Sequence, residues 1–427
     1  MSFLSKRLAK ITGAESARSS SDYILALDIG TEYVKTLIAK KGKNHELEIV
    51  GVGRERELDG NIFGGAIANI PNVIKVCEEA LIQAEDMAGV RAKEVVVGIA
   101  GELIKGNTST IKYRRSNASK AITEEEMHYI IERVQQRAGD QARSEVAIES
   151  NNPDVEIRLI NSALVSIYID GYKVTNPIGF KGKDVTVQLY TAFAPLVHIS
   201  AIERVCDELD LDLVTVAVEP FAVCRACLGD NVDSDFTSIV MDIGGGTTDI
   251  AIINEGGVEG TKMFGIGGRA FTHQVATQLG VSFEDAEKLK LLEDDPKMKP
   301  TIRKKLSDAI ARNLSVWITG VELAIEDFNQ IETLPDQILL CGGGASLSQI
   351  PEILATGDWY KGLAFARRPI IQLISPEDVP GVENFTDKKL DHTYVTAMGL
   401  LRVGMDTLVG VGDNRSFRAR LTKLLQY

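Results

Sequence analysis

Apolar residues in this chain gather into short continuous runs broken by glycine-rich turns, and two of the breaks carry the same polar signature. Tyr23–Lys40 (YILALDIGTEYVKTLIAK) and Ile239–Asn254 (IVMDIGGGTTDIAIIN) each read as a strand, an Asp-Ile-Gly turn with threonine, and a second strand. Between them, Lys93–Gly101 predicts a strand, and Thr123–Glu126 forms a Thr-x-x-Glu capping box opening a helix that runs to about Ala138, before Gly139. Ile157–Asp170 and Val185–Phe193 read as strands around the turn Asn176–Gly179. This strand–helix–strand–strand block is long enough to form a small α+β subdomain. Helices follow over Ile199–Leu209 and Val218–Leu228, and another opens at the N-cap Ser282.

The turns carry candidate chemistry. Gly244, Gly245 and Gly246 allow positive φ and close backbone approach to a ligand. Consecutive N–H groups in such a turn form a concavity suited to phosphate oxygens, and Thr247 and Thr248 add hydroxyls. Asp242 is suited to hold a hydrated Mg²⁺, an ion that keeps most of its waters and prefers carboxylate and phosphate oxygens. Asp28, Gly30 and Thr31 repeat the arrangement in the first hairpin. The alternative is a pair of ordinary glycine-rich hairpins. Two Asp-Ile-Gly hairpins in one chain suggest two related halves gripping one polyphosphate from opposite sides, in a cleft where small ligands usually bind. Gly267 and Gly268 stand before a helix, another place for backbone to approach a ligand.

Composition permits this reading. A chain of 427 residues with 44% hydrophobic content can build two lobes of two subdomains each. The net charge of −13 argues against nucleic acid as the main partner, and no run approaches the roughly 18 apolar residues of a membrane span. The five scattered cysteines fit a reducing compartment. Cys224 and Cys227 form a lone C-x-x-C that reads as helix packing rather than metal ligation. The five histidines have no ligand-like spacing, and there is neither a Walker-type Lys-Ser/Thr loop nor a Ser–His–Asp constellation.

Both ends are basic against this acidic background. Met1–Gly13 places Phe3, Leu4, Leu8 and Ile11 at helical spacing with Lys6, Arg7 and Lys10; it lacks the continuous apolar core of a secretory signal, which leaves a transit peptide open. Ala14–Asp22 reads as a linker. Asn414–Tyr427 sets Phe417, Leu421, Leu424 and Leu425 on one face with Arg415, Arg418, Arg420 and Lys423. Such a helix suits a membrane surface, a partner, or the protein's own core. On a membrane, four apolar side chains give roughly 1.5–3 kcal/mol each at best, anionic lipid adds about 1 kcal/mol per basic residue, and ordering the segment takes much of that back. One tail binds weakly, whereas several on one assembly bind firmly.

The two hairpins resemble the first and second phosphate loops of the actin/Hsp70/sugar-kinase superfamily. That likeness implies an α/β, two-lobed, actin-like fold built as a ribonuclease H-like duplication, with ATP and Mg²⁺ between the lobes and Asp28 and Asp242 on the metal through water. Within the superfamily, the inserted block resembles the extra subdomain of the bacterial cell-division FtsA family, through Gly98–Gly101 (GIAG) and Asp170–Gly182 (DGYKVTNPIGFKG). The implied layout is a basic N-terminal segment and linker at 1–22, lobe 1 at 23–92, the insert at 93–195, lobe 1 again at 196–228, lobe 2 at 229–369, the closing part of lobe 1 at 370–410, and a linker and amphipathic helix at 411–427.

The resemblance also assigns roles. Glu219 takes the place of a polar residue near the metal or attacking water, a candidate catalytic group, or else is a carboxylate favoured by a helix N-terminus. Glu287 and Lys290 border the adenosine, or else form an exposed i,i+3 ion pair. In Leu339–Ser346, Gly342, Gly343 and Gly344 resemble the loop under the adenine. Glu32 departs from the pattern, since a small or hydroxyl residue is common there; either it turns outward or its charge lowers nucleotide affinity. Lys35 is a counter-charge to phosphate or a solvated strand residue.

An FtsA-like protein would form ATP-bound filaments with slow or no hydrolysis. It would tether the tubulin-like FtsZ, whose C-terminal peptide would dock within Thr261–Asp336, to the cytoplasmic face of the membrane through Phe417, Arg418, Leu421, Leu424 and Leu425. A PilM-like adaptor of type IV pilus assembly, binding a short peptide of a membrane protein, is the second expectation. A sugar kinase lacks an identifiable base here, and the tail after Asp413 has no room for a chaperone's substrate domain.

Overall fold

The computed structural model describes residues 20–229, 235–292 and 298–412. The segment Met1–Gly13 and the tail residues Phe417, Arg418, Leu421, Leu424 and Leu425 lie outside the described residues.

The first apolar run becomes β1 (Tyr23–Ile29), which turns back as β2 (Tyr33–Lys41) and β3 (Leu47–Arg56). A small ribbon of β4 (Ile62–Phe63) and β5 (Ala66–Ile67) leads to α1 (Ile70–Ala88), capped by Asn69. Strand β6 (Glu94–Ile99) then lies parallel to β1. Every residue of β1 is buried. Helix α1 packs on the face of this sheet carrying Gly53, and α9 (Val395–Gly412), the last described helix, packs on the opposite face beside Ile24. A strand covered on both faces is apolar throughout rather than alternating.

The inserted block is β7 (Lys105–Arg114), α2 (Glu124–Glu149), β8 (Ile157–Ile169), β9 (Tyr172–Val174) and β10 (Asp184–Pro195). Met127, Ile130, Ile131 and Val134 of α2 pack on Ile167, Val187 and Leu189. Chain continuity then returns to lobe 1 through α3 (Leu196–Glu208), β11 (Asp212–Val218) and α4 (Glu219–Leu228).

Lobe 2 opens with β12 (Ser238–Ile243), β13 (Thr248–Asn254) and β14 (Gly257–Phe264). Helices α5 (Gly268–Leu279), α6 (Phe283–Leu291) and α7 (Pro300–Glu326) follow. Next come β15 (Gln337–Cys341), α8 (Gln349–Thr356) and β16 (Ile370–Leu373), before β17 (Val382–Asn384) rejoins lobe 1.

The duplication is visible in strand order. One sheet runs β11-β6-β1-β2-β3-β17, and the other contains β16-β15-β12-β13-β14. In each, an antiparallel three-strand meander is followed by two parallel strands on the side of its first strand. Side-chain alternation along β12 and β13 then sorts the residues. Ile239, Met241, Ile243, Ile250 and Ile252 enter the lobe 2 core with Trp317. Val240, Ala251 and Ile253 join the core shared with lobe 1, so Asp242 and Asp249, in phase with them, face the other lobe.

Four expectations are corrected. The strand predicted over Lys93–Gly101 does not open the insert; it is β6, in the lobe 1 sheet between β1 and β11. Helix α2 does not stop near Ala138, because Gly139 lets it pass close over Phe193, where an added Cβ would lie 3.3 Å from the ring. Half of the capping box forms: Thr123 accepts from the Glu126 N–H, but the Glu126 carboxylate binds Arg115 at 2.8 Å instead of reaching back. Finally, β16 belongs to lobe 2, so the chain does not return to lobe 1 at residue 370.

The insert's sheet is continuous with that of lobe 2. β14 pairs with β7 through Gly260↔Asn107 and Thr261↔Gly106, giving nine strands in the order β16-β15-β12-β13-β14-β7-β10-β8-β9. A second mooring ties the insert to lobe 1, where Asn161 of β8 accepts from the Val218 N–H at 2.8 Å. Among the described residues no helix is long and apolar enough to cross a membrane.

Candidate functional site

The two hairpin turns, the start of α5, one face of α6 and the glycine loop after β15 surround a cleft of about 390 Å³. Its floor is set by β1, β2, β12 and β13, and by the starts of α4 and α9. Those two helices cross so closely that a Cβ on Gly399 would lie 2.1 Å from the Ala222 carbonyl oxygen. Glu219 at the head of α4 and Thr396 at the head of α9 are thereby brought to the strand ends.

Most of the residues singled out in the sequence converge here. Asp28, Gly30, Thr31, Lys35, Glu219, Asp242, Gly244, Gly245, Thr247, Gly268, Glu287, Lys290 and Gly342–Gly344 all line the cleft. Gly246, Thr248 and Gly267 do not, and their placing as ligand-facing residues is corrected. Gly246 packs against Thr31 of the other hairpin, where a Cβ would meet the threonine hydroxyl at 2.7 Å. Thr248 is fully buried beneath the turn, its hydroxyl donating to the Ile266 carbonyl and accepting from Trp317 Nε1. Gly267 stands behind Gly244, whose carbonyl a Cβ would approach to 2.6 Å. All three shape the turns from outside.

Three carboxylates gather around one lysine, and a fourth, Asp249, adjoins them. Lys35 Nζ lies 2.8 Å from Asp28 Oδ2; burial works against its charge, yet Asp28, with Asp242 and Glu219 beyond, carries its pKa upward. The lysine is therefore no solvated strand residue. Burial, then Asp28, Asp249 and Asp242, pushes the Glu219 carboxyl well above the usual carboxylate range. Burial and then Asp242 do the same to Asp249. Asp242 also shifts upward through burial, opposed by the Thr396 hydroxyl that donates to it and by Lys35.

Asp249 is a site residue the sequence reading passed over, and it had a signal. A four-residue turn from Gly244 to Thr247 places Asp242 directly opposite Asp249 in the ladder. Its Oδ1 is buried and without a hydrogen-bond partner among the described residues, while Oδ2 accepts from Thr247. A buried acidic cluster with an unsatisfied oxygen is suited to a divalent cation. Yet among the described residues no three acidic, histidine or cysteine side chains converge as a ligand set. The residues fit an ion held through water and phosphate rather than by a protein cage.

The far end of the cleft is also built. Lys290 donates to Glu287 at 2.8 Å, to Thr272 at 2.8 Å and to the Gly268 carbonyl at 3.1 Å, so this pair is half-buried and knitted to α5 rather than solvated. Gly342 has φ +81 and sits against Asp242, leaving no room for a side chain. On this side the sequence reading missed Ser346, whose hydroxyl lies 2.9 Å from His392 Nε2.

Beside the first hairpin it missed two arginines. Arg54 lies over the Tyr33 ring at 3.8 Å, and its Nε has no hydrogen-bond partner among the described residues. Arg269, from α5, binds Glu32 across the cleft. Glu32 lines the cleft as well, with its carboxylate paired to Arg56 and Arg269.

Comparisons with known proteins agree with this fold. The family described as Cell division protein FtsA matches residues 239–399, and that described as MreB/Mbl protein matches residues 182–286. Cell division protein FtsA of Pseudomonas aeruginosa is 25% identical over 408 residues, covering 90% of each chain. Its counterpart in Enterococcus faecalis is 25% identical over 349 residues, 77% of this chain and 75% of that one. Among solved structures, the PilM-PilN type IV pilus biogenesis complex matches with a TM-score of 0.64 at 18% identity, over 90% of this chain and 98% of that chain. The chain has an actin-like fold, and its sequence similarity runs to the cell-division FtsA family.

Proposed function

We propose that this chain is an ATP-binding, actin-like filament protein that ties the FtsZ division ring to the cytoplasmic face of the membrane. The observation that carries the reading is the meeting of Asp28 and Asp242, from duplicated hairpins, in one cleft. Backbone N–H groups of the two turns would hold phosphate oxygens, with Lys35 as their counter-charge. Asp28, Asp242 and Asp249 would hold Mg²⁺ through its waters, and the ion would neutralise phosphate charge and the buried carboxylates alike. Glu287 and Lys290 would border the adenosine, with Gly342–Gly344 beneath the base. Glu219 would orient a water, and burial raises its carboxyl pKa well above the usual carboxylate range, which weakens it as a base and fits slow or absent hydrolysis with nucleotide as an assembly ligand.

Sequence similarity to cell-division proteins supports FtsZ as the partner, with its C-terminal peptide docking within Thr261–Asp336. The basic segment Asn414–Tyr427 would supply the lipid contact through Phe417, Arg418, Leu421, Leu424 and Leu425, firm once several chains assemble. The second reading is a PilM-like adaptor binding a membrane protein's peptide, favoured by the fold match to the PilM-PilN complex.

The test is pelleting with anionic liposomes in the presence of Mg·ATP, for the full chain and a form lacking residues 414–427. Co-sedimentation that depends on the tail supports the reading, and tail-independent sedimentation or none overturns the membrane part. Asp242→Ala should lose nucleotide binding with its circular dichroism unchanged; retained affinity would make the hairpin purely structural. Binding of an FtsZ C-terminal peptide, set against a pilus-protein peptide, separates the two readings.

A further inference from the structure

A carboxylate in the first phosphate turn looks like a liability, because it would repel a γ-phosphate. The structure turns it to another use. Glu32 is held from its own lobe by Arg56, with Nε at 2.9 Å and Nη2 at 2.8 Å from Oε1. From the other lobe it is held by Arg269, whose Nη1 lies 3.0 Å from Oε2. Both members of the cross-lobe pair are anchored to phosphate turns. Glu32 is part of the first turn, and the Arg269 backbone N–H donates to the Gly245 carbonyl of the second at 2.8 Å.

The Arg269 guanidinium is fixed besides. It lies over the Phe283 ring at 4.7 Å, reaches the Thr31 carbonyl at 3.5 Å, and binds Asp59 with its other arm. The side chains of Arg269 and Glu32 are only 11% and 16% exposed, so water screens the pair far less than a surface ion pair. The turns themselves touch: a Cβ on Gly245 would lie 2.9 Å from that of Glu32.

We propose that Glu32 and Arg269 form a positioning latch that keeps the two phosphate turns docked across the cleft and so slows release of the bound Mg·nucleotide. The proposal rests on the nucleotide reading above for its functional readout. It carries a sign opposite to simple repulsion: removing the Glu32 charge shortens nucleotide residence instead of lengthening it. Cutting one partner of a half-buried, hydrogen-bonded pair acts mainly on dissociation.

The experiment uses the full chain, with a fluorescent ATP analogue and Mg²⁺ chased by unlabelled ATP, in the wild type, Glu32→Gln, Arg269→Gln, Arg269→Lys and the Glu32→Gln/Arg269→Gln double variant. Each Gln variant should release nucleotide about tenfold faster. The double variant should be no faster than the singles, since both remove one interaction, and Arg269→Lys should recover part of the retention. Slower or unchanged release in Glu32→Gln, or additive effects in the double variant, would overturn the latch.

Hydrogen exchange of amides 29–33 and 244–247 in the nucleotide-free protein gives a second, independent readout. The Gln variants should speed exchange in both turns, and no change in either turn would overturn the proposal. A wild-type chain that binds no nucleotide would defeat the functional reading, and the exchange measurement would still decide on the latch.

Discussion

Asp28 and Asp242 hold the same position in two copies of one sheet, but Asp28 faces Lys35 across its hairpin and Asp242 faces Asp249. The first copy carries its own counter-charge. The second sets two buried carboxylates against each other with Glu219 nearby, and so depends on protons or a cation from outside.

Stability should therefore fall with rising pH in the absence of Mg²⁺ and nucleotide. The carboxyls of Glu219, Asp242 and Asp249 have folded pKa values above their unfolded ones. The native state then binds more protons than the unfolded chain, and this contribution is full below the ordinary carboxylate range and lost as pH rises through the folded values. Calorimetric Tm should decline between about pH 5 and pH 8, and Asp249→Asn should flatten the decline. A Tm that rises over that window through the cluster's ionisation would contradict the burial described.

Thr396 should set how readily Asp242 ionises. Its hydroxyl donates to the carboxylate and opposes the upward shift. Thr396→Val should raise the Asp242 pKa further, weakening Mg·nucleotide binding near neutral pH and restoring it as pH increases. Titration calorimetry at several pH values checks this; a loss independent of pH would mean that Thr396 acts through packing alone.

Adjacent threonines should separate by affinity. Thr247 lines the cleft and Thr248 lies beneath it, bridging Trp317 and the Ile266 carbonyl. Thr247→Ala should weaken nucleotide binding, and it should also lower Tm because buried Asp249 Oδ2 loses the hydroxyl it accepts from. Thr248→Val leaves a buried indole N–H unpaired, at a cost of about 1–3 kcal/mol, and should lower Tm while affinity stays near wild type.

The hairpins were legible because Asp-Ile-Gly interrupts an otherwise apolar strand, a pattern short enough to be read locally. Asp249 was legible in principle from the count of turn residues. The Glu32–Arg269 contact was not, since it joins residues that meet only after two lobes have folded and docked. The same limit explains β6: KEVVVGIA announces a strand, but nothing in those residues says which sheet will take it. Gly139 misled for another reason, because packing over Phe193 outweighs the weak helix propensity of glycine.

Gly106→Val should test the junction of β7 and β14. A Cβ there would lie 2.0 Å from the Thr261 hydroxyl and 2.6 Å from that of Tyr190, which themselves bond at 3.1 Å in the interior. Overpacking of this kind costs about 1–3 kcal/mol. Thermal unfolding should drop by a few degrees, with exchange rising first in amides 105–109 and 258–262. Unchanged exchange there would mean that the ladder is not what joins the insert to lobe 2.

Chain connectivity and hydrogen bonding assign the insert to different owners. It leaves and re-enters the polypeptide through lobe 1, yet its strands extend the lobe 2 sheet, and Asn161 ties it back to β11. It therefore braces the two lobes: a rotation of one against the other would strain either the short β7–β14 ladder or the asparagine tether. The outermost strand, β9, is joined through β8, β10, β7, β14 and β13 to β12, which bears Asp242, so the rim of the molecule and its acidic centre are linked by successive hydrogen-bonded strands.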